Sequence, residues 1–152
     1  MSIVKLHRYG VSTYPLGEGT LALEAPGKPT LEVATPADFT DGIDGVWGPG
    51  ELLIGALATC YELMVLAIAK RLTVPIHAVR TDSSGHIEHK NGVYSFVVIE
   101  LDVQIETEPD HEHAADYVAE LARERCIVAS ALNVPIRLNV EIEAKEREPA
   151  VV

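Results

Sequence analysis

Basic residues are scarce in this 152-residue chain: 12 Lys and Arg stand against 23 Asp and Glu, for a formal charge of −11. No basic patch interrupts the acidic surplus. A phosphate backbone repels such a surface, so no nucleic-acid partner is expected. Cysteine is nearly absent too, at two residues. The N-terminal MSIVKLHRYG lacks the apolar core of a secretory leader. Together these features predict a cytoplasmic protein, where a structural disulfide is unusual but a redox or catalytic cysteine pair is allowed. GxSxG, P-loop and GxGxxG signatures are missing, as are repeats and low-complexity segments. The histidines do not form a metal set. His86 and His89 fall on opposite faces of a predicted strand, and His111 and His113 lie two apart at a helix start, so neither pair resembles a closed zinc site. No metal and no other cofactor is expected. The one long apolar run, Leu52 to Ala69, contains Thr59 and Glu62. A carboxylate near a bilayer centre costs about 2.5–3.5 kcal/mol on insertion scales, so a buried soluble helix is expected rather than a membrane span.

The chain is of a length for one domain, and a monomer of this size buries roughly 68–70% of its unfolded surface. Residues 1–35 read as N-terminal strands, because IVKLHRY, TLALEA and TLEVAT alternate apolar and polar residues. Residues 36–48, rich in Gly, Asp and Pro, read as a loop. A central helix is predicted over 49–71, with Pro49 in its first turn, Glu51 at the positive end of its dipole, and Lys70 and Arg71 at the other end. Residues 75–106 read as a hairpin turning at Lys90-Asn91-Gly92, with Val97, Ile99, Leu101, Val103 and Ile105 on one face. A helix pair follows over 109–132, a last strand over 134–145, and a frayed tail, EREPAVV. Strands that mostly neighbour one another make the class α+β rather than α/β.

The central helix, PGELLIGALATCYELMVLAIAKRL, is apolar nearly all the way round, so it must be covered on all sides. One small sheet shields one face. A second copy of the chain is the economical cover for the other, which predicts a homodimer with two central helices packed together; the alternative is a monomer whose two helices cover each other. Cys60 lies in the middle of this helix. It reads either as a small buried hydrophobe or as a reactive thiol, since reactivity needs a thiolate and access. Cys126 sits at the junction between the second helix and CIVASAL, where a chain break presents new backbone N–H groups that favour a thiolate. One central and one junction cysteine fit an attacking and a resolving thiol, although spacing alone does not show that they meet.

PGELLIGALATC, followed much later by CIVASAL and a closing PIRLNVEIE strand, resembles the OsmC/Ohr family (osmotically inducible protein C and organic hydroperoxide resistance protein). The resemblance covers nearly the whole chain, including the order of elements. It implies an intertwined homodimer with antiparallel sheets around the buried helix and two active sites at the interface. It further implies a thiol peroxidase without haem, flavin or metal. In that chemistry Cys60 attacks an organic hydroperoxide and becomes a sulfenic acid, Cys126 condenses with it to a disulfide, and an external dithiol reduces the pair. An arginine and a glutamate support the thiolate in the family.

The family's peroxidases carry their glutamate directly after the proline. Here Gly50 holds that position and the acid is Glu51, one place later, a rotation of about 100° on an ideal helix. Glu51 also precedes Cys60 by about 13.5 Å of helix rise, so contact would have to come across a dimer. The arginine corresponds to Arg8 in LHRYGVS, the sole arginine before the central helix, in a context unlike the family's Gly-Arg. The alternative reading is a non-catalytic or weakly active family member that binds a small apolar ligand at the dimer interface.

Overall fold

The structure is a computed structural model that describes residues 5–146. The chain divides into two compact units, Met1–Leu52 and Leu53–Val152.

In the N-terminal unit, Gly17, Glu18 and Gly19 take positive φ in succession (105°, 51° and 82°), which folds β1 (Ser12–Gly17) back on β2 (Thr20–Glu24). β3 (Leu31–Ala34) completes an antiparallel sheet in the order β1-β2-β3. Pro15 is tolerated in β1 because an edge strand can spare one N–H, and the register shifts between Pro15 and Gly17. The expected first strand over IVKLHRY is corrected here. Residues 5–11 carry no regular structure, and residues 3 and 4 lie outside the described residues. Alternation gives a segment a face but no partner; the turn at residues 17–19 commits β2 to the residues just before it. The loop that follows closes on the sheet, with Trp47 paired to Val33 and its carbonyl accepting from Ala34 N at 2.9 Å. Gly42 is required within it, since a Cβ there would stand 1.9 Å from the Pro36 carbonyl oxygen.

Helix α1 (Pro49–Leu72) crosses from the first unit into the second. Leu57, Tyr61, Val65 and Ile68 recur at helical spacing and are all buried. β4 (Ile76–Lys90) and β5 (Val93–Thr107) form the predicted hairpin, and Asn91 and Gly92 both take positive φ (53° and 78°), as a primed turn demands. α2 (Glu112–Arg125) and α3 (Ile127–Ala131) carry the chain over to β6 (Ile136–Ala144). α2 begins three residues later than expected because Asp110 takes φ 67°, which no right-handed helix contains. β6 pairs with β5 from Ile99↔Ile136 to Thr107↔Ala144, giving the order β4-β5-β6. This pair is parallel, the one departure from the antiparallel expectation, because a helical crossover returns the chain in the same direction. The frayed tail expected at residues 146–152 lies, apart from Glu146, outside the described residues.

One core joins α1, α2 and the inner face of this second sheet, where Ile99, Leu101, Val103 and Ile105 are buried. Val97, expected among them, is 37% exposed, because the register slips at the facing His86/Ile87 position. The outer face is polar. Glu100 bridges His86 (3.3 Å) and Arg137 (3.1 Å), and Asn139 Nδ2 donates to Asp102 at 2.8 Å. The fold is therefore α+β with two small sheets. The central helix, however, is covered on one side within the chain: Leu63 is 66% and Leu66 43% exposed.

Candidate active site

Cys60 lies three residues from buried Leu57 and three from exposed Leu63, about 60° round α1 from each. It thus occupies the edge between the stripe that packs on the sheet and the open apolar face, and it is partly buried. Cys126 is 2% exposed. It is the residue at which α2 ends and α3 begins, with extended backbone (φ −68°, ψ 111°). The break leaves the first N–H groups of α3 without helical partners, and those of Ala129 and Val128 turn to the Cys126 sulfur.

The two thiols come together. Burial pushes the Cys126 thiol above the ordinary cysteine range, and the neighbouring Cys60 adds to the rise. The N–H groups of Ala129 and Val128 pull in the opposite direction, yet the balance keeps Cys126 protonated. Cys60 is the more accessible of the pair. Chemically, such a pair can carry a nucleophile with a protonated thiol held ready beside it.

A cavity of about 280 Å³ opens beside Cys126. Leu57, Tyr61, Leu101, Ile136 and Leu138 give it an apolar lining, while Arg123 and Glu124, both exposed, stand at its rim. Tyr61 is held by a hydrogen bond from its hydroxyl to the Ala119 carbonyl at 3.2 Å, and burial raises its pKa well above the usual phenol range. Sequence reasoning passed over Tyr61 and Arg123. The signal was present for both: Tyr61 adjoins Cys60, and Arg123 lies one helical step (i−3) before Cys126.

Glu51 and Arg8 belong to the N-terminal unit. Glu51 is exposed, and its Oε2 accepts from the backbone N–H of Gly48 at 2.7 Å. Gly48 is the N-cap, since its carbonyl accepts the Leu52 N–H at 3.1 Å, and Glu51 is the third helical residue. This is the back-reaching half of a capping box. Arg8 is exposed on the irregular stretch before β1.

The OsmC-like protein family model matches residues 42–141. An uncharacterized protein of Bacillus subtilis, YmaD, is 22% identical over 143 residues, covering 91% of this chain and 95% of its own. Among solved structures, an OsmC-like protein of unknown function from Vibrio cholerae superposes with a TM-score of 0.79 at 14% identity, over 90% of this chain and all of that one. An organic hydroperoxide resistance protein from Elizabethkingia anophelis superposes at 0.74 and 16% identity, over 94% and 100%. At these identities the structural likeness is one of fold. The family match itself includes both cysteines, the helix bearing one and the helix break bearing the other, and on it the chain belongs to the OsmC family.

Proposed function

We propose that this protein is a homodimeric, cytoplasmic thiol peroxidase that reduces organic hydroperoxides. The observation that carries this reading is the meeting of Cys60, on the accessible edge of α1, with a protonated Cys126. The hydroperoxide resistance protein among its structural relatives supports the substrate class. Those relatives cover both compact units, which supports treating residues 1–152 as one domain.

In the first step the Cys60 thiolate attacks the peroxide oxygen distal to carbon. The O–O bond breaks, the leaving alkoxide takes a proton to become the alcohol, and Cys60 becomes a sulfenic acid. The Cys126 sulfur then displaces hydroxide from it, its own proton completing water, and a Cys60–Cys126 disulfide forms. An external dithiol restores both thiols and leaves as its own disulfide. No cofactor enters these steps. The open apolar face at Leu63 and Leu66, enclosed by a second copy, shelters the organic tail and keeps water from the sulfenic acid. We assign the supporting charges to Arg8 and Glu51 of that second copy, a guanidinium to stabilise the thiolate and a carboxylate to orient the guanidinium.

A second reading is favoured by one observation: the Glu51 carboxylate is already engaged as a helix cap. On that reading the protein holds a small apolar ligand at the dimer interface and turns over no peroxide. Reduced protein mixed with one equivalent of an aryl-alkyl hydroperoxide, followed by intact mass, separates the two. The peroxidase loses two hydrogens, and Cys60→Ser forms no disulfide. An unchanged mass in the unaltered protein sinks the peroxidase reading.

A further inference from the structure

The reductive half of the cycle needs a route of its own. Cys60 edges towards the face that a second copy covers, so a reductant arriving there competes with the peroxide. The cavity beside Cys126 lies elsewhere: Cys126 lines it and Cys60 does not. Thiol–disulfide exchange is an in-line displacement, with the attacking sulfur approaching one sulfur from the side away from the other. Of the two cysteines only Cys126 borders this space, so a thiol entering it reaches Cys126 rather than Cys60.

We propose that this cavity is the entry site for the external thiol and that the thiol attacks Cys126, expelling Cys60. The inference rests on the disulfide of the proposed cycle and names the sulfur and the route. The attacking thiolate forms a bond to the Cys126 sulfur as the Cys60–Cys126 bond breaks, and its electron pair leaves on Cys60 as thiolate. The second thiol of the reductant, deprotonated, then attacks its own mixed disulfide and releases Cys126, which regains a proton.

Three features favour this direction. The inner wall of Leu57, Tyr61, Leu101, Ile136 and Leu138 suits the hydrocarbon part of a small thiol. At the rim, Arg123 offers a cation to the incoming thiolate, with Glu124 beside it opposing that pull. Burial raises the Cys126 thiol, which disfavours its departure as a thiolate.

The test starts from disulfide made with diamide rather than peroxide, so that it stands apart from peroxidase activity. Oxidised protein is treated with 2-mercaptoethanol in the presence of N-ethylmaleimide, digested and mapped by mass. The expected product carries mercaptoethanol on Cys126 and maleimide on Cys60; mercaptoethanol on Cys60 overturns the inference, as does failure of diamide to form the disulfide. Reduction by dithiothreitol should slow by about tenfold in Leu138→Trp and in Ser130→Trp, a solvent-exposed lining position, through blocked approach. Ile127→Ser, outside the cavity and 71% exposed in the parent side chain, should keep the unaltered rate. Unaltered rates in both tryptophan variants overturn the route. Disulfide formation with diamide but not with peroxide sinks the peroxidase reading and leaves this test intact.

Discussion

The double substitution Leu63→Ala/Leu66→Ala should dissociate the proposed dimer while leaving the chain folded. Both side chains stand open in the single chain, 66% and 43% exposed, on the helix face opposite the sheet-packed stripe. Each Leu→Ala change removes three carbons, about 2.4 kcal/mol at full burial if a methylene contributes about 0.8 kcal/mol. Scaled by those exposed fractions, the pair contributes about 2.5 kcal/mol per copy and, because a two-fold interface presents the patch twice, about 5 kcal/mol per dimer as an upper bound. At 1.4 kcal/mol per decade, the dissociation constant should rise by about 10³- to 10⁴-fold. Sedimentation velocity across a concentration series reads that shift directly, and circular dichroism on the same samples reports whether the helices persist. Substitutions at exposed positions that touch no cap or core generally stay within about 0.5 kcal/mol of stability, so helicity should hold. A shift of less than tenfold would refute the idea that this face is the interface. So would an unaltered protein that is monomeric at micromolar concentration.

Three other outcomes follow from the geometry. Glu51→Gln should keep the cap, since Gln still accepts from Gly48 N–H, whereas Glu51→Ala should lower stability in urea by about 1 kcal/mol; peroxide oxidation slowed in both would place the carboxylate at the thiol, and oxidation unchanged in Glu51→Gln would assign it to the cap alone. The raised Cys126 pKa means that the folded state holds this proton more tightly than the unfolded one, so its contribution is full below about pH 8.5 and is lost as pH rises through the folded value; reduced protein should weaken over that alkaline range more steeply than Cys126→Ala, and parallel stability curves would contradict it. Gly85→Ala should destabilise by about 1–3 kcal/mol, because its Cβ would lie 2.5 Å from Phe96 Cε1 and 3.0 Å from Ile54 Cγ2, and a Tm equal to the unaltered protein would show that the Phe96 ring moves aside freely.

The elements that were legible in the sequence are those whose signals are local. Pro49 at the start and Lys70-Arg71 at the end bounded α1 to within one residue, and Asn91-Gly92 fixed the hairpin. The first strand was misplaced because its true sequence, STYPLG, carries a proline and a glycine and no buried residue, while the alternating IVKLHRY had no turn to pair it. The parallel pairing of β6 with β5 was not legible, because strand order depends on where α2 and α3 pack rather than on any property of β6 itself. Of the site, the cysteine types and their elements could be read, but their meeting could not: it requires the crossover that brings residue 126 back over α1. Glu51 shows the converse. Its place in the helix start was read correctly, and the capping interaction with Gly48 follows from the same position.

In the proposed cycle the chemistry and the assembly are tied through the rotation of one residue. Had the thiol stood at position 61, it would lie on the stripe that packs against the core; at position 63 it would lie out on the open apolar face, turned further from Cys126. Position 60 falls between, with Cys126 on its inner side and the open apolar face on its outer side. In the proposed cycle the peroxide meets the Cys60 thiolate from the outer side and the reductant meets the later disulfide at Cys126 from the inner side, so the two do not displace each other. On that reading a helix apolar on nearly every side is what makes this possible, because one face is spent on the sheet and the other is open, as the proposed second copy requires. The near-absence of charge along the middle of α1 thus serves the core of the single chain and, in the proposed cycle, the site as well.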